Sequence, residues 1–326
     1  MKRLKYIFAT LLLLGVITAG VAVNWFDDAI KAPGPLAVEK LVYIAPGTHS
    51  TGMGDKLLQE GVIDIELAFR VDAKLQGRLE GLKAGEYQFE PHMSITDIIT
   101  LLQSGKTYQH KITIPEGLMS IEIVDLLKKE PVLTGTIGAL PPEGSLLPET
   151  YKFSYGDTRQ SVLNRMKKAM QDEMAVLWTK HAADFPLTEN EAIVLASIVE
   201  KETGLAIERP RVAGIFLNRL RKGIPLQSDP TVIYALTLGQ SVLGRPLEHD
   251  DLKKPSPYNT YIATGLPPGP IANPGKASLE AVLNPEKNDY IYFVADGSGG
   301  HAFAKTLQEH NSNVAKWRLF RAGQTK

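Results

Sequence analysis

The chain has 326 residues, 44% of them hydrophobic and 22% charged, enough for two ordinary domains with a sizeable core. Its 36 Lys and Arg balance 36 Asp and Glu, leaving no basic surplus to displace the counterions of a nucleic acid. There is no cysteine, which excludes disulfides, thiolate metal sites and a cysteine nucleophile.

The N-terminus carries the first element. Lys2, Arg3 and Lys5 precede an uncharged run from Tyr6 to Phe26, which Asp27 and Asp28 close. A helix of that length spans about 30 Å, the thickness of a hydrocarbon core. Basic residues before the run and acids after it predict a cytoplasmic N-terminus, with the rest of the chain outside the cytoplasm. The competing reading is a cleaved signal peptide with small residues at Gly20-Val21-Ala22. Its apolar region would be about 7 to 15 residues, shorter than this one, so a retained anchor is the better reading.

A stiff Ala32-Pro33-Gly34-Pro35 linker follows. Tyr43-Ile44-Ala45-Pro46-Gly47 and Thr113-Ile114-Pro115-Glu116-Gly117 then share a strand-then-turn pattern. The register continues: Asp55–Ile63 (DKLLQEGVI) lies over Asp125–Leu133 (DLLKKEPVL), and Gly85–Phe89 echoes Glu149–Phe153. Apolar-periodic stretches from Ile95 and from Val162 follow each echo. The pattern predicts a duplicated strand–helix–strand–helix module.

The second half reads as mainly helical. Val162, Met166, Ala169, Met170, Met174, Leu177 and Trp178 form an apolar stripe, a core signature. Thr188-Glu189-Asn190-Glu191 is a capping box that opens a helix through Val199. Pro210 starts another, with Gly223 past its end, and Ser228-Asp229-Pro230 announces a third. Prolines and glycines then crowd residues 254–275. Asp289 to Ala295 reads as a strand, 301–304 as its partner and Thr306 to Arg321 as a closing helix.

No nucleophile elbow, P-loop, dinucleotide fingerprint or zinc-type histidine spacing appears. His301 and His310 fit surface or core roles, and the polar run Glu248-His249-Asp250-Asp251 fits a solvated loop. No metal or cofactor is expected. Carboxylates remain, which points to acid–base chemistry on an extracytoplasmic polymer. The best candidate lies in SIVEKETG (Ser197 to Gly204), at the end of an almost wholly apolar helix. A carboxyl group emerging there is desolvated, which favours the protonated form a general acid needs. Glu200 and Glu202 lie about 200° apart around the helix axis and cannot share one site. Periodicity does not choose between them, and both could simply end a core helix on its solvent side.

SIVEKETG, FLNRLRKGIPLQSDPTVIYAL (Phe216 to Leu236), SPYNTYIATGLPPGPIANPG (Ser256 to Gly275) and YFVADGSGGHAF (Tyr292 to Phe303) occur in that order. Together they resemble the YceG-like, or MltG, family of endolytic murein transglycosylases, over roughly residues 40 to 320. The resemblance implies a lyase that cleaves peptidoglycan within the strand, between MurNAc and GlcNAc, leaving 1,6-anhydro-MurNAc ends. It places the catalytic glutamate on Glu200. That residue would protonate the glycosidic oxygen and then, as carboxylate, help the sugar's own 6-hydroxyl attack the anomeric carbon. Gln227, Asp229, Asn259 and Tyr261 would hydrogen-bond the glycan and Tyr258 would stack on a sugar ring. Asp229 equally fits a helix cap, and Asn259 and Tyr261 fit a loop-pinning role.

The expected molecule is an α+β protein in three parts. An anchor at 1–30 precedes a LysM-like glycan-binding region at 31–155, which holds the duplication. A mainly helical catalytic domain with a small sheet fills 156–326. It would sit in the bacterial inner membrane as a single-pass protein facing outward, and trim nascent strands beside peptidoglycan synthases. Two other readings stay open. One is a lysozyme-like hydrolase with Asp229 or Glu208 activating water; the other is a non-catalytic glycan-binding scaffold.

Overall fold

A computed structural model describes residues 2–75, 77 and 81–324. The side chains of Lys2 and Lys5, part of the N-terminal basic cluster, lie outside that description. The chain forms two compact units, Met1–His110 with Lys152–Tyr155, and Lys111–Tyr151 with Gly156–Lys326. Residues 111–151, grouped above with the glycan-binding region, fall in the second unit.

The first unit opens with α1 (Lys2–Lys31), which over Tyr6–Lys31 is long and apolar enough to cross a membrane. Only its last turns pack: Ile30 is buried, Phe26 lies against the unit's core, and the Thr96 hydroxyl donates to the Ile30 carbonyl. Strand β1 (Lys40–Ile44) pairs antiparallel with β2 (Gly85–Phe89), Val42 opposite Tyr87. Helices α2 (Ser50–Gln59), α3 (Glu66–Leu75) and α4 (Ile95–Ser104) complete the unit. Ser94 caps α4 by accepting from the Asp97 N–H, and Gly105 ends it at φ 67°, a left-handed turn suited to glycine. Val42, Ile44, Leu57, Phe69, Tyr87, Phe89, Ile98, Ile99 and Leu102 form the core.

Strands β3 (His110–Thr113) and β4 (Thr150–Phe153) form a second two-stranded sheet. Helix α5 (Ser120–Lys129) lies between them in sequence. Each half of the expected duplication thus opens and closes on strand–helix pairs, but α3 has no counterpart between α5 and β4. In the second unit next come α6 (Arg159–Trp178), α7 (Glu189–Glu202), α8 (Arg209–Arg221) and α9 (Asp229–Thr237). Helix α10 (Lys276–Leu283) precedes the ribbon of β5 (Tyr292–Ala295) and β6 (His301–Ala304), and α11 (Leu307–Gln324) closes the chain.

Helix α7 is the centre of this unit. Thr188 and Glu191 form its capping box, and Leu195, Ala196, Ile198 and Val199 are fully buried. They share a core with Val212, Ala213 and Phe216 of α8, Leu279, Val282 and Leu283 of α10, and Met170 and Met174 of α6. Each large apolar side chain so buried contributes about 1.5–3 kcal/mol, which fixes the end of α7 rigidly. The sheet begins three residues later than the sequence predicts. The carbonyls of Asn288 and Tyr290 accept from the Asn218 amide instead of from a partner strand.

Candidate active site

The two glutamates at the end of α7 leave the helix in different directions, as their spacing requires, and meet different chemistry. Glu200 is enclosed, its side chain 5% exposed. Arg209 donates to its Oε1 at 3.0 Å, and the Gly275 N–H donates to Oε2 at 2.9 Å. The same Arg209 nitrogen reaches Glu116 at 3.3 Å, and Lys201 ties the adjacent turn by donating to the Gly117 carbonyl at 3.1 Å. Glycine is needed at 275 for space: a Cβ there would lie 2.6 Å from the Glu116 Cγ. Both groups facing Glu200 are donors, one of them cationic, which is how an ionised carboxylate is held in a fold.

Among the described residues, no cation forms an ion pair with Glu202. Its Oε1 accepts from the Ser228 hydroxyl at 2.5 Å. Burial pushes its carboxyl up to about 7, and Asp229 adds to the rise, while Ser228, His301 and Arg219 act against it. A glutamate poised there exchanges a proton near neutral pH.

The polar residues singled out in the sequence gather beside Ser228. Gln227 sits at φ 51°, a left-handed conformation uncommon outside glycine, and its N–H donates to the Thr260 carbonyl at 3.0 Å. The Ser228 N–H and the Thr231 hydroxyl both meet the Thr260 hydroxyl, at 3.1 and 2.7 Å. Ser228 occupies the N-cap position of α9, so Asp229 is not the cap; its carboxylate accepts from the Tyr261 hydroxyl at 2.6 Å. Burial raises the Tyr261 phenol well above its usual range. Tyr258 packs on Tyr234 with ring centroids 4.8 Å apart.

Asn259 is fully buried. It donates to the carbonyls of Leu252 and Lys254 and accepts from the Tyr261 N–H, so its polar groups go into the proline-rich segment. From below, buried Arg219 donates to the carbonyls of Leu226 and Ile291, both at 2.7 Å, and holds the Gln227 turn against the sheet. Gln227, Asp229 and Tyr261 thus flank Ser228, whose hydroxyl bonds Glu202, while Tyr258 packs apart from them on Tyr234.

Three further features border the site, and sequence reasoning assigned a role to only one of them. Glu208 accepts from the His301 N–H at 2.9 Å, from its Nδ1 at 2.7 Å and from the Thr203 hydroxyl at 3.2 Å. Burial opposes its charge, but the His301 bonds hold the Glu208 carboxyl below its ordinary value. Glu143 accepts from the Ser120 N–H and hydroxyl and from the Asn273 amide, and burial pushes it up to about 7. Arg209 binds Glu200 from the first residue of α8. Only Glu208 had a signal, as a candidate second carboxylate. Asp251, in the acidic run, is buried and paired with Arg245 and Lys254.

The chain matches the YceG-like family over residues 42–316. It is 34% identical over 308 residues to a Bacillus subtilis (strain 168) protein named endolytic murein transglycosylase, covering 85% of this chain and 84% of that one. A Streptococcus pneumoniae (strain R6) protein of the same name is 28% identical, covering 95% of this chain and 65% of its own. A crystal structure of a YceG-like protein from Listeria monocytogenes superimposes with a TM-score of 0.53 at 33% identity, over 85% of this chain and 99% of that one.

Proposed function

Because the chain belongs to the YceG-like family and is an endolytic murein transglycosylase like its relatives, we propose that Glu202 is its proton donor and Glu200 a structural carboxylate. The observation that carries this is the pairing of a neutral-range carboxyl at Glu202, through Ser228, with the neighbouring Gln227, Asp229 and Tyr261. Protonated Glu202 gives its proton to the glycosidic oxygen as the bond to the MurNAc anomeric carbon breaks. The sugar's 6-oxygen then bonds to that carbon as its hydroxyl proton passes to a basic group of the site, leaving a 1,6-anhydro end. The nucleophile belongs to the substrate, so the paired carboxylates of ordinary glycosidases are not required. Tyr258 and Tyr261 offer ring faces and hydroxyls to the glycan, and Asn259 shapes the loop that carries them.

The test is mass spectrometry of peptidoglycan treated with the detergent-solubilised full chain and two variants. Glu202→Gln is expected to lower kcat by about 10²–10⁴-fold while keeping a cooperative melt. Glu200→Gln is expected to lose stability first. Full inactivity of a normally folded Glu200→Gln protein, beside an active Glu202→Gln protein, would reverse the assignment. Reducing ends in place of anhydro ends would make the enzyme a hydrolase.

The remaining roles are proposed from the apolar length of α1 and from the family. Helix α1 would anchor the enzyme in the inner membrane with its N-terminus inside, and the rest of the first unit, up to residue 110, would act as a LysM-like glycan-binding region. Trimming of nascent strands beside a synthase is the matching cellular role. Protease added outside spheroplasts should digest everything beyond α1; protection would refute this orientation.

A further inference from the structure

The 6-hydroxyl that closes the anhydro ring must lose its proton, and Glu202 has just acted as an acid. The structure holds a second proton acceptor within the catalytic unit. His301, at the start of β6, presents Nδ1 to Glu208 Oε2 at 2.7 Å, and its own N–H reaches the other oxygen of the same carboxylate at 2.9 Å. A carboxylate on Nδ1 fixes the tautomer: Nδ1 carries the hydrogen and Nε2 is left as the basic nitrogen. Among the described residues no group bonds Nε2, and it is not a buried orphan. The ring is held edge-on against Phe293, centroids 5.4 Å apart at 83°, and the side chain is 16% exposed. Glu208 is itself oriented by the Thr203 hydroxyl, from the residue after Glu202. Through Thr203 the His301–Glu208 pair is tied to the end of α7 that carries Glu202. A surface or core histidine needs neither this two-point carboxylate clamp nor an unbonded Nε2.

We propose that His301 is a second catalytic residue, whose Nε2 takes the proton of the substrate's 6-hydroxyl, and that Glu208 is the positioning residue that holds it. The step balances. Glu202 loses a proton to the leaving oxygen as the C1–O bond breaks, the O6–C1 bond forms, and the O6 proton passes to His301 Nε2. Transfer of that proton to the Glu202 carboxylate, directly or through water, restores both groups for the next cycle. Orientation of the 6-hydroxyl by the imidazole also explains how ring closure outruns attack by water. This rests on the assignment of Glu202 as acid.

The experiment compares wild type, His301→Gln, Glu208→Gln and Glu202→Gln as full chains on peptidoglycan. It scores kcat, KM and the ratio of anhydro to reducing ends. His301→Gln is expected to lower kcat about 100-fold with KM within about twofold, and to give a measurable share of reducing ends. Glu208→Gln should lower kcat about 10-fold in the same sense. Added imidazole should restore part of the rate to His301→Gly and none to Glu202→Gln. A folded His301→Gln protein that keeps its rate, or that slows with anhydro ends only and no imidazole rescue of His301→Gly, overturns the proposal. An active Glu202→Gln protein would instead remove the assignment beneath it, so the two failures are distinct.

Discussion

Two carboxylates two residues apart on one helix have opposite fates because one finds a counterion and the other does not. Replacing Glu200 by Gln leaves the Arg209 guanidinium, 10% exposed, without its buried partner, which costs about 3–5 kcal/mol. The variant should therefore melt well below wild type in thermal denaturation followed by circular dichroism. Glu202→Gln removes a carboxyl that is already costly to ionise, so its melting point at alkaline pH should match or exceed that of wild type. Both glutamates were visible in the sequence, and neither periodicity nor desolvation could separate them. The discriminating groups arrive from far along the chain: Arg209 from α8, Gly275 from the proline-rich segment and Ser228 from the cap of α9. Glu116 was legible only as a turn residue. Its one clue was that the earlier turn has Pro46 where the later has Glu116.

At the scale of elements, local signals were read well wherever they were self-contained. The capping box, the proline start of α8 and the turn between β5 and β6 all lie where the sequence puts them, since each depends on neighbours a few residues away. The proline-rich segment 254–275 was legible as irregular chain but not as a packed element. Its order comes from side-chain amides, Asn259 inside it and Asn273 joining it to Ser120 and Glu143. It also packs closely on α7 through Gly144. A Cβ there would lie 2.6 Å from Pro270 and 2.8 Å from Ile193, at φ 72°. Gly144→Ala should thus cost at least about 1–3 kcal/mol, read as a lower denaturant midpoint. An unchanged midpoint would mean that this contact yields more easily than its geometry implies.

Over the whole molecule, the two buried acids give stability a definite pH dependence. Glu143 and Glu202 both rise from an ordinary 4.5 to about 7, so the folded state holds protons that the unfolded chain releases. Their contribution is complete below 4.5 and is lost as pH climbs through about 7. Glu60 and Asp251 are shifted downwards, so their contribution is lost only in stronger acid. The melting temperature should fall between pH of about 5 and about 8, and Glu143→Gln with Glu202→Gln should flatten that slope. A rise over the same window would contradict the burial of both groups. The site is also spread along the chain, with partners from Glu116 through Glu200 and Ser228 to Gly275 and His301. In the outward-facing orientation proposed above, a polypeptide still being threaded through a translocation channel, released only as far as residue 270, would hold both glutamates but not the Gly275 N–H or the imidazole. On that proposal synthesis order would work as a safety catch: a wall-cutting enzyme assembled this way would stay inert until nearly its whole length had been delivered and folded.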